Sequence, residues 1–168
     1  MTDRQSIIKD HKELRQAIDF LQENGFKQAK IALILGSGLG RLAEELESPC
    51  VFDYRQIPGF PCSTVEGHSG KLYRGKLAGV DALVFQGRVH FYEGYDAVQV
   101  CAPVIVTAGL GIGSLIITTA CGGINPAYRQ GDLMLVDDFV NFGYKEPLMG
   151  FYQPGESRRN PLPSDTAF

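Results

Sequence analysis

The chain has no excess of positive charge, no paired-cysteine spacing, no uninterrupted apolar segment of membrane-spanning length and no internal repeat. Each absence removes a class of function. Across 168 residues, 16 lysines and arginines stand against 19 aspartates and glutamates, for a net charge of -3. That balance argues against nucleic acid as the main partner. Cys50, Cys62, Cys101 and Cys121 show no C-x-x-C spacing, which points to a reduced, cytoplasmic chain with ordinary buried thiols. Three histidines with no spaced cluster of cysteines or carboxylates give no metal signature, and no metal is expected. The polar start, Met1-Thr2-Asp3-Arg4-Gln5, lacks the apolar core of a signal peptide. Ala97 to Tyr128 carries no charged residue, but Pro103, Gly109, Gly111, Gly113, Gly122, Gly123 and Pro126 interrupt it. A membrane span is therefore rejected in favour of a buried helix followed by a buried strand.

What is present fits one domain, residues 1–168, with 44% hydrophobic residues to build a core. The 20 glycines cluster in short loops, as where backbone is brought close to a ligand. Thr2 or Asp3 caps a first helix. Leu14, Ala17, Ile18 and Leu21 mark one face of it, and Asn24-Gly25 stops it. Ile31–Leu35 reads as a buried strand and Leu39–Leu46 as a short helix. Val51–Ser69 reads as irregular. Lys71–Leu77 and Val80–Gln86 read as strands joined around Ala78-Gly79. Tyr95–Leu110 reads as a helix, kinked or started near Pro103. Ser114–Ala120 is a second buried strand, and Gly131-Asp132 turns the chain into Leu133–Val136. The alternation predicts an α/β fold, a sheet with helices on both faces. Ligands in such sheets sit at the carboxyl ends of strands, here after Leu35, Gln86 and Ala120.

Chemistry concentrates in Gln86-Gly87-Arg88-Val89-His90-Phe91-Tyr92-Glu93-Gly94-Tyr95. In an extended segment Arg88, His90 and Tyr92 share one side, and Val89, Phe91 and Glu93 the other. A guanidinium fork beside an imidazole suits an anion, though an R-x-H pair alone equally suits a solvated edge strand. Gly36-Ser37-Gly38-Leu39-Gly40 offers backbone amides and a hydroxyl at a helix start, or simply a tight turn. Arg41 stands where a dinucleotide fingerprint needs its third glycine, and no Gly-Lys-Ser/Thr follows. His68, between Gly67 and Ser69 on a loop, is either solvated or a switchable donor to an anion. Thr118-Thr119-Ala120-Cys121-Gly122-Gly123-Ile124-Asn125 is either tight packing or a floor of amides against a ligand. Cys121 has no sequence neighbour that would lower its pKa and reads as inert.

Together these segments resemble the trimeric purine nucleoside phosphorylase family, over roughly residues 25–140. The matching stretches are Ile34–Gly40, Ser63–Gly70, Gly87–Tyr95 and Thr119–Pro126. Any one is a weak signal; their order together is specific. The resemblance implies a twisted mixed β-sheet flanked by helices, assembled as a homotrimer at full length. It implies reversible attack of inorganic phosphate on C1′ of a purine nucleoside, giving free base and ribose 1-phosphate, with phosphate as co-substrate and no cofactor. It assigns Ser37, His68, Arg88, His90 and the backbone N–H of Ala120 to phosphate, Tyr92 to ribose, and His90 with Glu93 to catalysis, Glu93 keeping His90 oriented. Two departures stand out. Thr119 replaces the family's usual Asn, and members run to roughly 270–290 residues. The family's base-recognising Glu and Asn, its second phosphate Ser and its ribose His fall in the part not spanned, so the purine-binding residues and the purine preference stay unassigned. A non-catalytic phosphate- or nucleotide-binding module and a Rossmann-type cofactor binder are the alternatives.

Overall fold

The computed structural model describes residues 12–63 and 70–142. The helix cap at Thr2 or Asp3, His68 and the segment beyond residue 142 lie outside them. The chain divides into two compact units, Met1–Ala120 and Cys121–Phe168.

In the first unit, α1 (Lys12–Glu23) buries Leu14, Ala17, Ile18 and Leu21, the face its sequence spacing marks. Gly25 ends it in the left-handed region at φ 81°, which glycine enters without a Cβ penalty. Five strands follow: β1 (Ile31–Leu35), β2 (Glu47–Asp53), β3 (Lys71–Leu77), β4 (Val80–Gln86) and β5 (Ser114–Ile117). Their order in the sheet is β2-β3-β4-β1-β5. β1 runs parallel to β4 and β5, whereas β2–β3 and β3–β4 are antiparallel. The sheet is mixed.

Period-two alternation sends successive residues of β1 and β4 to opposite faces. Ala32, Ile34, Leu83 and Phe85 join α1 and the helix Ala102–Gly109 in one core. Leu33, Leu35, Ala82 and Val84 join Ala43 and Leu46 in the other. Buried on both faces, these strands read as continuous apolar runs.

Several sequence readings are corrected. The short helix read over Leu39–Leu46 is a 3₁₀ helix over residues 40–45. Val51–Asp53, expected to be irregular, belongs to β2. That strand escapes the pattern because it lies on the sheet edge, is mostly exposed and carries Pro49 with a register break between Glu47 and Cys50. Edge strands tolerate proline. The helix expected over residues 95–110 is two pieces, α2 (Ala97–Val100) and α3 (Ala102–Gly109), with Pro103 in the first turn of the second. β5 stops at Ile117, three residues short of Ala120. Cys50 and Cys121 are exposed and Cys62 and Cys101 half-buried, so the expectation of buried thiols does not hold.

In the second unit the described residues 121–142 form turns without helix or strand. The Asn125 side-chain oxygen accepts from Ala127 N–H at 3.0 Å, and a turn closes from Asp132 N–H to Arg129 O at 3.1 Å. Leu133–Val136 pairs with no strand among the described residues.

Candidate active site

Parallel pairing decides where the chemistry meets. Leu35 of β1 is level with Gln86 of β4, and Ile34 is level with Ile117 of β5. The residues that leave these three strands therefore leave side by side, at their carboxyl ends. Gly36–Gly38, Gly87-Arg88 and Thr118-Thr119 become neighbours, although long stretches of sequence separate them.

The first loop is a turn closed by Leu39 N–H to Gly36 O at 3.2 Å. Gly38 sits third in that turn at φ 86°, the position where only glycine is unstrained. Gly36 is glycine for a different reason. A Cβ there would lie 2.4 Å from the Thr118 carbonyl oxygen and 2.9 Å from Thr119 Cα. Gly36 N–H donates to Thr118 Oγ1 at 2.9 Å. On the far side, Gln86 Nε2 donates to Gly40 O at 2.9 Å, and Tyr73 hydroxyl donates to Gln86 Oε1 at 3.0 Å. The loop is held at both ends.

Arg88 follows Gly87, which stands at φ 88°. The buried Tyr54 hydroxyl donates to Gly87 O at 2.8 Å, and burial pushes that hydroxyl well above its ordinary pKa, so it stays a donor. Its ring lies so close to Gly70 that a Cβ there would meet ring atoms at 2.1 Å. Arg88 Nη1 donates to Thr118 O at 3.2 Å and Nη2 to Thr119 Oγ1 at 3.4 Å. A guanidinium has five donors, so the others remain available to a ligand among the described residues.

Extended backbone continues through His90 (φ -130°, ψ 157°), and then Phe91–Glu93 closes into a 3₁₀ turn. Strict alternation therefore stops at His90. Tyr92 still keeps company with His90, stacking on it with ring centroids 5.0 Å apart and planes 12° from parallel. Glu93 turns back: its Oε1 accepts from His90 backbone N–H at 2.9 Å and its Oε2 from Ser63 Oγ at 2.6 Å. The carboxylate contact to His90 is thus to its main chain.

Ser37, Arg88 and His90 line one cavity of about 430 Å³, with Leu35, Gly36, Gly38, Gly40, Lys71, Gln86 and Gly87. Three of the residues expected to meet do meet. Ala120 is exposed and is not among the lining residues. His68 lies outside the described residues. Sequence reasoning missed Tyr54, Gln86, Lys71 and Thr118. Thr118 and Gln86 stood in motifs already noted; the other two carry no local signal. A wider cavity of about 610 Å³ lies between the start of α1, Gly59–Pro61 and Asp96–Gln99, and holds none of the expected site residues. Among the described residues, no group of histidines, cysteines or carboxylates could hold a metal ion. No helix there is long and apolar enough to cross a membrane.

Comparison with known proteins agrees with this geometry. Residues 30–168 match the family model described as the phosphorylase superfamily. Purine nucleoside phosphorylase 1 of Bacillus subtilis is 50% identical over 137 residues, covering 82% of this chain and 51% of that protein. The Rattus norvegicus purine nucleoside phosphorylase is 39% identical over 160 residues, covering 94% of this chain and 52% of that one. The crystal structure of isoform 2 of the Schistosoma mansoni enzyme, in complex with cytosine and ribose-1-phosphate, superposes with a TM-score of 0.66. Its identity is 39%, over 73% of this chain and 43% of that one. The chain spans about half the length of the curated relatives it matches. A mixed sheet, a glycine loop and an Arg-x-His segment meeting at the same strand ends, together with these matches, place the chain in the phosphorylase superfamily, within the purine nucleoside phosphorylase family.

Proposed function

We propose that this chain carries the phosphate-binding half of a purine nucleoside phosphorylase. The reaction is phosphate-dependent, reversible cleavage of purine (deoxy)ribonucleosides. A phosphate oxygen forms a bond to C1′ while the bond from C1′ to the base breaks, its electron pair leaving with the base. The products are free base and (deoxy)ribose 1-phosphate.

The observation that carries this reading is the convergence of Ser37, Arg88 and His90 on one cavity at the carboxyl ends of β1 and β4. Ser37 offers a hydroxyl, Arg88 the free donors of its fork, and His90 an imidazole. His68 and the backbone N–H of Ala120 complete the set as the family resemblance assigns them. A phosphate held by several fixed donors is aimed as well as bound, which is proximity and electrostatic work. Tyr92, stacked on His90, lies against the ribose in this reading. Glu93 fixes the turn that presents the imidazole, through the His90 backbone, and with His90 forms the catalytic pair of this reading. No cofactor is needed, because phosphate is the second substrate. A homotrimer of the full-length enzyme, in the cytoplasm, belongs to the same reading.

Phosphate binding by the chain tests it. Each hydrogen bond to a charged group contributes ~1.5–3 kcal/mol, so Arg88→Ala should weaken inorganic phosphate binding about 10- to 100-fold with an unchanged circular dichroism spectrum. Isothermal titration of both proteins gives the answer. A wild-type chain that takes up no phosphate, or an Arg88→Ala variant that binds it equally well, sinks the proposal.

A further inference from the structure

We infer that Thr118 is a positioning residue of the anion site, holding the glycine loop and Arg88 in one arrangement. The inference rests on the phosphate reading above and deepens it.

Thr118 is the first residue past β5. Its backbone N–H donates to Ile34 O at 3.0 Å, as a further rung of the parallel ladder. Its hydroxyl donates to the same carbonyl at 3.2 Å. With its proton so directed, the oxygen's lone pairs face Gly36 N–H, which it accepts at 2.9 Å. Its carbonyl accepts from Arg88 Nη1 at 3.2 Å. One residue thus fixes the first amide of the loop that carries Ser37 and an N–H of the guanidinium. The close approach of Gly36 to this carbonyl, where a Cβ would lie at 2.4 Å, leaves the loop little room to choose another path while the hydroxyl holds it.

Valine has nearly the shape of threonine but no donor or acceptor. In Thr118→Val the Gly36 amide loses its partner and a methyl group faces the Ile34 carbonyl. The anchor of Arg88 is main chain and survives. The loss should therefore fall on the loop and on Ser37, as lost preorganisation.

Phosphate affinity of the 168-residue chain is the readout, by titration with inorganic phosphate. Losing the part-buried hydrogen bond that holds Gly36 N–H, at ordinary strength, corresponds to about a fivefold weakening in Thr118→Val, while Thr118→Ser, which keeps the hydroxyl, should stay within about twofold of wild type. A double-mutant cycle separates positioning from general stability. If Thr118 acts through the loop, Thr118→Val should weaken binding much less in a Ser37→Ala background. Thr118→Ala gives the same comparison should the valine variant not fold. Wild-type affinity in Thr118→Val, equal weakening in the valine and serine variants, or full additivity with Ser37→Ala overturns the inference while the phosphate reading stands. If Arg88→Ala also leaves affinity unchanged, the phosphate reading has failed and this inference falls with it.

Discussion

At the scale of single residues, the site divides into groups that offer chemistry and groups that hold them. Gly36 belongs to the second kind. Its substitution by alanine puts a Cβ 2.4 Å from the Thr118 oxygen, and backbone on both sides leaves nothing flexible to give way. Gly36→Ala should abolish measurable phosphate binding and lower the melting temperature, whereas Gly38→Ala meets no atom and acts only through its φ of 86°. Paired thermal melts and titrations distinguish them. Tyr54→Phe removes the donor to Gly87 O and should cost about 1 kcal/mol of stability, read by urea denaturation, because the carbonyl preceding Arg88 loses its partner. Arg88, His90 and Ser37 were legible because they sit in short motifs whose residue types announce an anion. Tyr54 and Gln86 were not, because their roles come from partners 33 and 46 residues away, a proximity that only the folded sheet creates.

Among the elements, the legible ones had a single clear period. α1 showed one apolar face, β1 was a continuous apolar run, and β3 and β4 met at Ala78-Gly79, where both residues have positive φ. β2 was hidden because exposure removes the apolar signal and Pro49 argues against a strand. The α2–α3 break was partly visible in Pro103, but the start of α2 depends on a cap. Asp96 Oδ1 accepts from Gln99 N–H at 2.8 Å, and Gln99 Oε1 accepts from Asp96 N–H at 3.1 Å, a reciprocal capping box. Asp96→Ala should cost ~1 kcal/mol, and Asp96→Asn much less. Phe85 of β4 is fully buried and stacks toward Phe60 at 6.1 Å; Phe85→Ala should cost ~3–5 kcal/mol in urea denaturation. The turn after β2 gives a pH signature. Arg55, first through its side chain and then through its backbone N–H, holds the Asp53 carboxyl at about 2 against an ordinary 3.8. A depressed folded pKa stabilises above the unfolded value and is lost as pH falls toward the folded one. The advantage of wild type over Asp53→Asn should therefore be constant from pH 7 to about 5 and shrink between pH 3.8 and about 2. Because the Arg55 side chain is largely exposed, solvent screening keeps the advantage small.

For the whole molecule, what matters is which half of a reaction these residues can perform. Phosphorolysis needs phosphate gripped on one side of the sugar and the departing base stabilised on the other as negative charge builds on it. The first requirement has candidates in Ser37, Arg88 and His90. For the second, no matched motif in the sequence supplies a donor pair, and the chain spans about half of its curated relatives. Losing donors that stabilise developing charge costs several kcal/mol of barrier, so the purified chain should bind phosphate yet cleave inosine far more slowly than the ordinary enzyme range of ~1–10³ per second. The sheet points the same way. β5 is an edge strand of the described sheet, yet Ile116 and Ile117, on opposite faces, are 48% and 56% exposed. An apolar strand with a bare outer edge and two exposed isoleucines invites pairing with another chain. Light scattering after size exclusion should show association that rises with protein concentration, and Ile116→Lys should reduce it while leaving phosphate affinity intact. Turnover within the ordinary range would show that the base site is assembled from residues in these same 168, for example across an interface between copies. Dilution would then decide the matter, because activity built across an interface falls as the copies separate, whereas activity built within one chain does not.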